Sequence, residues 1–291
     1  MKSLYEKLLM CNVCNSKLIK YQDKIKCAQC SKEYPLVEGV GVFVDFKSLS
    51  DHDKNQIKYF KDEDITGGFT HQLENWQSRY VERFLENIPD VKDKVIFDCG
   101  SGSGYMAIEL AKEGAIVIAL DLTLRSCIRL NKIAEDLGLS DNIVVICASA
   151  ESLPVRSNIA DIFISNAVLE HLPNEHDAIK EINRVSSKKA YLMIAVPIYY
   201  RYLNPLLLLP NMLHDRMIGH LRRYDQSSLK LKFYGWKNTE TYYTGHTFKA
   251  LFVLINKIYS IVSENFIEVI DKRKQHKKFF SSNIITFFIR K

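Results

Sequence analysis

The segment VIFDCGSGSG, residues 95–104, is an apolar run that ends in three glycines, each two positions from the next. Glycine lets a backbone approach a ligand at a distance where a Cβ atom would collide. A dinucleotide-binding turn of this kind needs a third glycine three positions after the second, at position 105. Tyr105 stands there instead. The spacing therefore indicates a nucleotide-like ligand other than NAD.

Two carboxylates stand beside this turn, each at the end of a predicted strand. Asp121 ends the next apolar run, AIVIALD, where an acid accepts hydrogen bonds from ribose hydroxyls. Asp98 ends the first run and is placed to receive a positively charged ammonium group. A ligand with a ribose, a cationic amino-acid end and no phosphate matches both residues. They predict S-adenosylmethionine as the cofactor; the alternative for Asp121 is a solvated strand end.

Four cysteines near the start form two Cys-x-x-Cys pairs with twelve residues between them, in CNVCNSKLIKYQDKIKCAQC. Two such pairs complete a tetrahedral shell of thiolates for zinc, and a closed shell of protein ligands makes the metal structural. The predicted ligands are Cys11, Cys14, Cys27 and Cys30. Disulfides are the alternative, but the first residues lack the apolar core of a secretory signal. We therefore predict a zinc ribbon over residues 1–47.

The elements that position these residues follow from hydrophobic periodicity. From Val95 onward, short apolar runs alternate with amphipathic stretches, the pattern of a parallel sheet with helices on both faces. This predicts an α/β domain over residues 73–291, joined to the ribbon by a polar linker over 48–72. Apolar residues at helical spacing between 251 and 269 predict a late helix.

At these residues the chain resembles the class I S-adenosylmethionine-dependent methyltransferases, in particular the group that contains the ubiquinone/menaquinone methyltransferases. FDCGSGSG resembles their first motif, ALDLT their second, ASAESLPV the segment that holds adenine, and GHLRRYDQSSLKLKFYGW a late His-x-Arg segment. The resemblance implies a doubly wound, mostly parallel, seven-stranded sheet. The cofactor-binding residues it implies are Asp98, Gly100, Ser101, Gly102, Gly104, Asp121, Leu122, Ser149, Ala150, Glu151 and Asn166.

The N-terminal module has a resemblance of its own, over residues 8–46. Its cysteine pairs, followed by a tyrosine-proline and an apolar strand, resemble the small zinc-ribbon proteins that activate tRNA and protein methyltransferases. They are similar also to zinc modules at the start of some rRNA guanine methyltransferases. The resemblance extends to the metal site and leaves open whether the ribbon binds RNA, binds protein or only stabilises the chain.

Methyl transfer from a sulfonium mainly requires an acceptor held in line with the methyl group. A base is needed only for a hydroxyl or an acidic carbon, and the candidates are His171, His220 and Tyr224. Residues 198–222 form a long connection rich in aromatics and leucines after the fifth strand of the α/β domain. We predict a substrate lid there, closing over an apolar or lipid-linked acceptor. Packing on the domain and a dimer contact are the alternatives.

The net charge is +6, and residues 272–291 carry seven basic side chains and no acid. Such a tail can touch nucleic acid or anionic lipid, so peripheral membrane contact is open; a solvated helix end and edge strand is the alternative. The longest stretch without charge is too short and broken to span a bilayer, which predicts a cytoplasmic protein. A small metabolite, apolar or linked to a lipid or glycan, is the leading acceptor. The alternatives are an RNA methyltransferase that grips RNA with its ribbon, a non-catalytic partner protein, and an oxidoreductase.

Overall fold

The computed structural model describes residues 4–66, 73–88, 90–249, 251–252 and 262–291. The strands in these ranges are β1 Leu18–Lys20, β2 Lys24–Cys27, β3 Glu33–Val37, β4 Val40–Val42, β5 Val95–Cys99, β6 Ile116–Asp121, β7 Ile143–Cys147, β8 Ala160–Asn166, β9 Ser186–Pro197, β10 Trp236–Thr244 and β11 Asn283–Arg290. The helices are α1 Leu4–Leu8, α2 Asp51–Thr66, α3 Asn75–Asn87, α4 Tyr105–Lys112, α5 Leu124–Asp136, α6 Glu175–Val185, α7 Pro205–Ile218, α8 Gln226–Lys232 and α9 Glu264–Arg273.

Eleven strands of the described chain form one sheet, in the order β1-β2-β3-β4-β7-β6-β5-β8-β9-β11-β10. The prediction of seven strands is therefore wrong for the sheet as a whole. Seven strands, from β7 to β10 in that order, make the α/β part, and β5 to β9 within it are parallel. The last two pairings of this part, β9 with β11 and β11 with β10, are antiparallel.

The four additional strands come from the N-terminal module and extend the sheet beyond β7. Strand β4 pairs with β7 in parallel, with Gly41 opposite Ile146 and Val42 opposite Cys147. An uncovered β7 would present a row of unpaired N–H and C=O groups, and β4 supplies their partners. The cysteine-rich module is thereby part of the main sheet.

The central strands are mostly apolar because helices cover both faces of the sheet. All five residues of β7 are buried. Ile96 and Phe97 are neighbours on β5 and lie in different core clusters, one on each side of the sheet. Alternate side chains of a strand point to opposite faces, so each strand serves both layers.

The N-terminal module shares one of these core clusters with the α/β part. Leu18 and Ile25 are buried in the cluster that also contains Phe97. Tyr5 ties the two parts together: its hydroxyl lies 2.8 Å from the carbonyl oxygens of both Gly39 and Val145. It also accepts the backbone N–H of Gly41 at 3.2 Å.

Two predicted segments reach residues outside the described ranges. Helix α2 occupies most of the predicted linker 48–72, of which residues 67–72 lie outside. The late helix predicted between 251 and 269 includes 253–261, which also lie outside, and α9 begins at Glu264. The division into ribbon, linker and α/β domain stays a prediction. In the described ranges, no helix has the length and apolar character needed to cross a membrane.

The Tyr5 contacts generate a prediction about stability. Tyr5→Phe leaves three backbone groups without the hydroxyl, two of them in buried contacts, so we expect the free energy of unfolding to fall by about 1–3 kcal/mol. Urea denaturation measures it. Tyr21→Phe is the matched control, since Tyr21 is 47% exposed. Equal stability of the two variants would show that the hydroxyl does not join the modules.

Candidate active site

A cavity of about 540 Å³ lies at the carboxyl ends of the central parallel strands. From β5 the chain continues to β6 and β7 on one side, whereas β8 and β9 lie on the other. Ligands of doubly wound sheets bind where the strand order reverses in this way. The predicted cofactor residues that line the cavity are Gly100, Ser101, Gly102, Asp121, Leu122, Ser149, Ala150, Glu151 and Asn166.

The glycine turn after β5 takes a left-handed backbone at all three glycines, and each has a different surrounding. A Cβ on Gly100, at φ +70°, would come within 2.3 Å of Val168. A Cβ on Gly104, at φ +79°, would come within 2.2 Å of Leu130 on α5. Gly102, at φ +50°, has no such neighbour within 4 Å among the described residues. Gly104 thus serves helix packing and does not line the cavity, whereas Gly102 leaves open space in its wall.

Asp121 ties the turn to the end of β6. One carboxylate oxygen accepts the N–H of Gly102 at 2.9 Å and the other accepts the N–H of Thr123 at 2.8 Å. Asp121 therefore holds the glycine turn against the end of β6, and it lines the cavity.

Asp98 does not line the cavity, although it was predicted to contact the cofactor. Its side chain is 3% exposed, and its Oδ2 has no hydrogen-bond partner among the described residues. Burial, followed by the negative charge of Asp121, raises the pKa of Asp98 from 3.8 to about 7. Burial therefore favours the neutral form of Asp98, and no cationic side chain is among the causes of that shift.

The predicted adenine segment follows β7 and forms another part of the wall. The Glu151 carboxylate accepts the backbone N–H of Asn174 at 2.7 Å and its side-chain amide at 3.3 Å. Asn174 is the N-cap of α6, so Glu151 also fixes where that helix begins. On β8, the Asn166 side-chain amide donates to the Tyr105 hydroxyl at 3.0 Å.

One wall of the cavity comes from α2 and α3, which sequence reasoning did not assign to the site. Their lining residues include Gln56, Phe60 and Trp76. His52 Nε2 lies 2.7 Å from the His171 carbonyl oxygen, and the Phe60 ring lies 5.6 Å from the His171 ring. The sequence of the predicted linker does contain a signal for this wall. His52, Gln56 and Phe60 follow one another at intervals of four residues and hence share a helix face.

A second cavity of about 650 Å³ adjoins the first. The two share Trp76, Asn166 and Ala167 as lining residues. The second lies where β8, β9 and β10 end and β11 begins. Its charged lining residues are Glu170, Lys249, Glu264 and Glu268. This cavity has the position required of an acceptor site, since only a shared wall separates it from the first.

Among the described residues, His171 is the one candidate base that lines a cavity. His171 lines the first, and burial together with the neighbouring imidazoles of His220 and His52 lowers its pKa to about 3. The His220 ring lies 4.6 Å from that of His171, and its Nδ1 lies 2.9 Å from Asp215. Tyr224 is 1% exposed, donates to Glu175 at 2.6 Å and lines neither cavity.

The predicted lid also lies away from the cavities. All of residues 198–222 are described, and none lines either cavity. Helix α7 within this segment presents apolar side chains to solvent: Leu206 is 83%, Leu209 64%, Leu213 61% and Met217 65% exposed. Closure over an acceptor stays a prediction, and this arrangement leaves the leucines uncovered.

The four N-terminal cysteines come together as predicted. Their sulfur atoms all lie within 4.8 Å of one another, with 3.7 Å between Cys11 and Cys30 and 3.4 Å between Cys14 and Cys27. All are free thiols. Four converging thiols fit a tetrahedral zinc ion.

A doubly wound sheet in this order, with a cavity over the glycine turn, is the Rossmann-like fold of the class I methyltransferases. Comparison with solved structures supports the same fold. The chain superimposes on the geranyl diphosphate C-methyltransferase of Streptomyces coelicolor A3(2), solved with Mg²⁺, geranyl diphosphate and S-adenosyl-L-homocysteine, with a TM-score of 0.62. The match covers 83% of this chain and 98% of that one at 11% identity, so it concerns the fold alone.

Sequence comparisons agree over the central segment. Residues 97–194 match the profile of a methyltransferase domain family. The chain is 31% identical over 112 residues to the ubiquinone/menaquinone biosynthesis C-methyltransferase of Rickettsia prowazekii (strain Madrid E), covering 36% of this chain and 45% of that protein. It is 30% identical over 118 residues to the tRNA 5-carboxymethoxyuridine methyltransferase of Escherichia coli (strain K12), covering 40% and 44%. These matches confirm the methyltransferase resemblance and span less than half of either relative.

The raised pKa of Asp98 predicts a pH-dependent stability. The unfolded carboxyl ionises near pH 4, whereas the folded one keeps its proton up to about pH 7. Asp98 therefore lowers the free energy of unfolding as pH rises between these values. Asp98→Asn removes that loss, so we expect it to stabilise the chain by on the order of 2–3 kcal/mol more at pH 8 than at pH 5.

Urea denaturation of both proteins at the two pH values measures this difference. The exposed Asp136, changed to Asn, is the control and should show the same small effect at both. An Asp98→Asn gain that does not change with pH would contradict the shifted pKa.

Proposed function

We propose that this protein is an S-adenosylmethionine-dependent methyltransferase that binds its cofactor in the cavity of about 540 Å³. The observation that carries the proposal is the turn after β5, where Gly102 leaves open space beside the carboxylate of Asp121. A ribose can lie against such a wall, because the carboxylate accepts its hydroxyls and Gly102 has no Cβ to collide with it. The wall does not require a phosphate group on the ligand. The family match over residues 97–194 supports the same reading.

Different residues around the cavity are proposed to bind different parts of the cofactor. Asp121 would accept hydrogen bonds from the ribose, and Ala150 and Glu151 would lie beside adenine. The negative charge of Asp121 in the cavity wall favours a ligand that carries an ammonium and a sulfonium group. The bound cofactor supplies a reactive methyl group, and the chain's task is to orient the acceptor toward it.

The second cavity is the proposed acceptor site. It adjoins the first through Asn166 and Ala167, so an acceptor held there lies next to the cofactor. Its lining includes Glu170 and Lys249, and Lys249 Nζ lies 2.6 Å from Glu268. Charged side chains of this kind bind polar groups, and the reacting end of the acceptor is therefore proposed to be polar.

The two relatives are named for unlike acceptors, a quinone pathway and a tRNA, so the acceptor class is argued from this chain's own surface. Leu206, Leu209, Leu213 and Met217 follow one another at spacings of three and four and form a single helix face. We call this exposed row the α7 stripe. An exposed apolar row of this size marks a contact with a partner or a membrane.

Charge next to the α7 stripe favours an anionic membrane. The single acid between residues 198 and 224 is Asp215, which is 5% exposed and paired with Arg223. Near the start of α7, Lys278 Nζ lies 3.8 Å from the Tyr202 ring, and Phe279 packs against the same ring at 5.7 Å. Apolar side chains bordered by cations are typical of proteins that lie on anionic lipid. We therefore propose a lipid-linked acceptor with a polar reacting end.

The alternative acceptor is RNA, gripped by the ribbon and the basic residues of 272–291. The same cations would serve it, since phosphates also attract them. Leucines on an exposed helix face add nothing to phosphate contacts, however, and the α7 stripe therefore favours lipid.

The cysteine cluster is proposed to hold one structural zinc ion. Four thiolates complete its coordination shell and leave no position for a substrate. The backbone N–H groups of Val13 and Gln29 each lie 3.4 Å from a cysteine sulfur and would offset part of the thiolate charge. A short module with a shared core gains much of its folding energy from such a metal.

Cofactor binding is tested by calorimetry with S-adenosylmethionine and its demethylated product. Replacing Asp121 by Ala should weaken binding by about 1–3 kcal/mol, the range for losing a charged hydrogen-bond acceptor. Asp136→Ala is the exposed control, and Asp121→Asn separates lost charge from a lost acceptor. Binding of NAD in place of S-adenosylmethionine, or indifference to Asp121→Ala, would contradict the proposal.

Membrane contact is tested by co-sedimentation with phosphatidylcholine vesicles, with and without phosphatidylglycerol. We expect binding that requires the anionic lipid and falls at least about tenfold in the double variant Leu209→Glu, Leu213→Glu, because each change removes a leucine whose burial in the membrane would contribute about 1.5–3 kcal/mol. Leu231→Glu is the matched control, a leucine 78% exposed on α8.

Two outcomes would overturn the lipid assignment. One is a wild-type protein that ignores both kinds of vesicle. The other is salt-sensitive binding to RNA that persists when the α7 stripe is changed.

A further inference from the structure

Three potential metal ligands converge where the connection after β8 meets the connection after α7. They are Glu170, His171 and His220, and their donor atoms all lie within 4.8 Å of one another. Glu170 Oε1 lies 3.8 Å from His220 Nε2. Glu170 belongs to the lining of the second cavity and His171 to that of the first. The cluster therefore lies at the boundary between the two cavities.

Buried polar atoms in this cluster have no partner among the described residues. Glu170 Oε2 and His171 Nδ1 are both buried without a hydrogen bond, and so is Oε1 of the nearby Gln56. Gln56 contacts the same region, since its amide donates to the Ile218 carbonyl at 2.8 Å. Buried polar groups are normally satisfied by protein, water or an ion. Three such atoms together indicate a ligand that the chain itself does not supply.

The surroundings of His220 are those of a metal-ligating histidine. Its Nδ1 lies 2.9 Å from Asp215 Oδ1, which leaves Nε2 facing Glu170. Arg223 holds Asp215 with two hydrogen bonds of 2.5 and 2.7 Å, and the Tyr200 hydroxyl donates to it at 2.5 Å. A carboxylate on the far nitrogen fixes the tautomer and the ring orientation of a metal ligand.

We propose that Glu170, His171 and His220 bind a divalent first-row transition ion such as zinc. Two imidazoles and one carboxylate are a ligand set for zinc or iron that leaves coordination positions open. Bonds of about 2.0–2.2 Å place the ligands of a tetrahedral zinc about 3.4 Å apart, so the three side chains close by roughly 1 Å on binding. Only the ion's role rests on the proposed function: at this boundary it would bind an acceptor oxygen and lower the pKa of a hydroxyl.

The test uses the full chain with its ribbon already loaded with zinc. Titration with Co²⁺, followed by calorimetry and visible absorption, should show one further ion per chain with nitrogen and oxygen ligands and no thiolate charge-transfer band. Glu170→Gln preserves the size of the side chain and should weaken Co²⁺ binding at least tenfold. Asp215→Asn acts through the positioning of His220 and should weaken it about 10- to 100-fold.

His176→Ala is the control, because His176 is an exposed histidine of α6 that lines neither cavity. The affinity of the His176→Ala variant for Co²⁺ should equal that of the wild type. Absence of a further ion, or equal binding in Glu170→Gln and the control, would overturn the metal site. S-adenosylhomocysteine binding, measured on the same samples, reports separately on the proposed function and on the fold of each variant.

Discussion

The cysteine-rich module and the proposed cofactor site both depend on one interaction, the parallel pairing of β4 with β7. It covers an edge of the α/β sheet and makes the cysteine-rich module continuous with it. Residues directly after β7 form the proposed adenine wall, so whatever steadies β7 also steadies Ser149 to Glu151. The backbone N–H of Phe43 donates to the Cys147 carbonyl at 2.8 Å, at the point where the strand becomes that wall. A structural metal in the ribbon would therefore act on the cofactor site through backbone hydrogen bonds.

Buried carboxyl groups are the second constraint. Asp98 lies inside the fold, and its Oδ2 has no hydrogen-bond partner among the described residues. Burial, followed by the charge of Asp121, raises the pKa of Asp98, and burial raises the pKa of Glu170 to about 8. Burial disfavours the ionised form of a carboxyl group. Such groups persist at functional sites, where a ligand supplies the missing charge. The proposed cationic cofactor in the cavity near Asp98 and the proposed divalent ion beside Glu170 would be two instances of this electrostatic rule.

Much of the site could be predicted because it rests on local signals. The apolar runs identified β5 to β9, and the glycine turn with Asp121 identified the wall beside them, since glycine spacing and strand ends are visible in the chain. Strand pairing could not be predicted in the same way. The segment VGV of β4 is typical of a strand, but its residues do not indicate that it pairs with β7. Helix α2 was assigned to a linker because its composition is polar, although His52, Gln56 and Phe60 repeat every four residues. Asp98 was predicted to contact the cofactor because it ends a predicted strand. Periodicity marks such a strand end, but it does not show whether the carboxylate faces the cavity.

The orientation of α7 follows from competing demands on one helix. Its polar residues Asn211 and Asp215 face the domain, where both contact Arg223, while its leucines face outward. Arg223 is 7% exposed, and removing the partner of a buried charge costs about 3–5 kcal/mol. Turning the helix to bury the leucines would gain about 1.5–3 kcal/mol for each, but it would take Asn211 and Asp215 away from Arg223. Neither arrangement satisfies both sets of residues in water. The ion network and the apolar face are satisfied together when something apolar covers the α7 stripe from outside, and the proposed membrane surface would meet this condition.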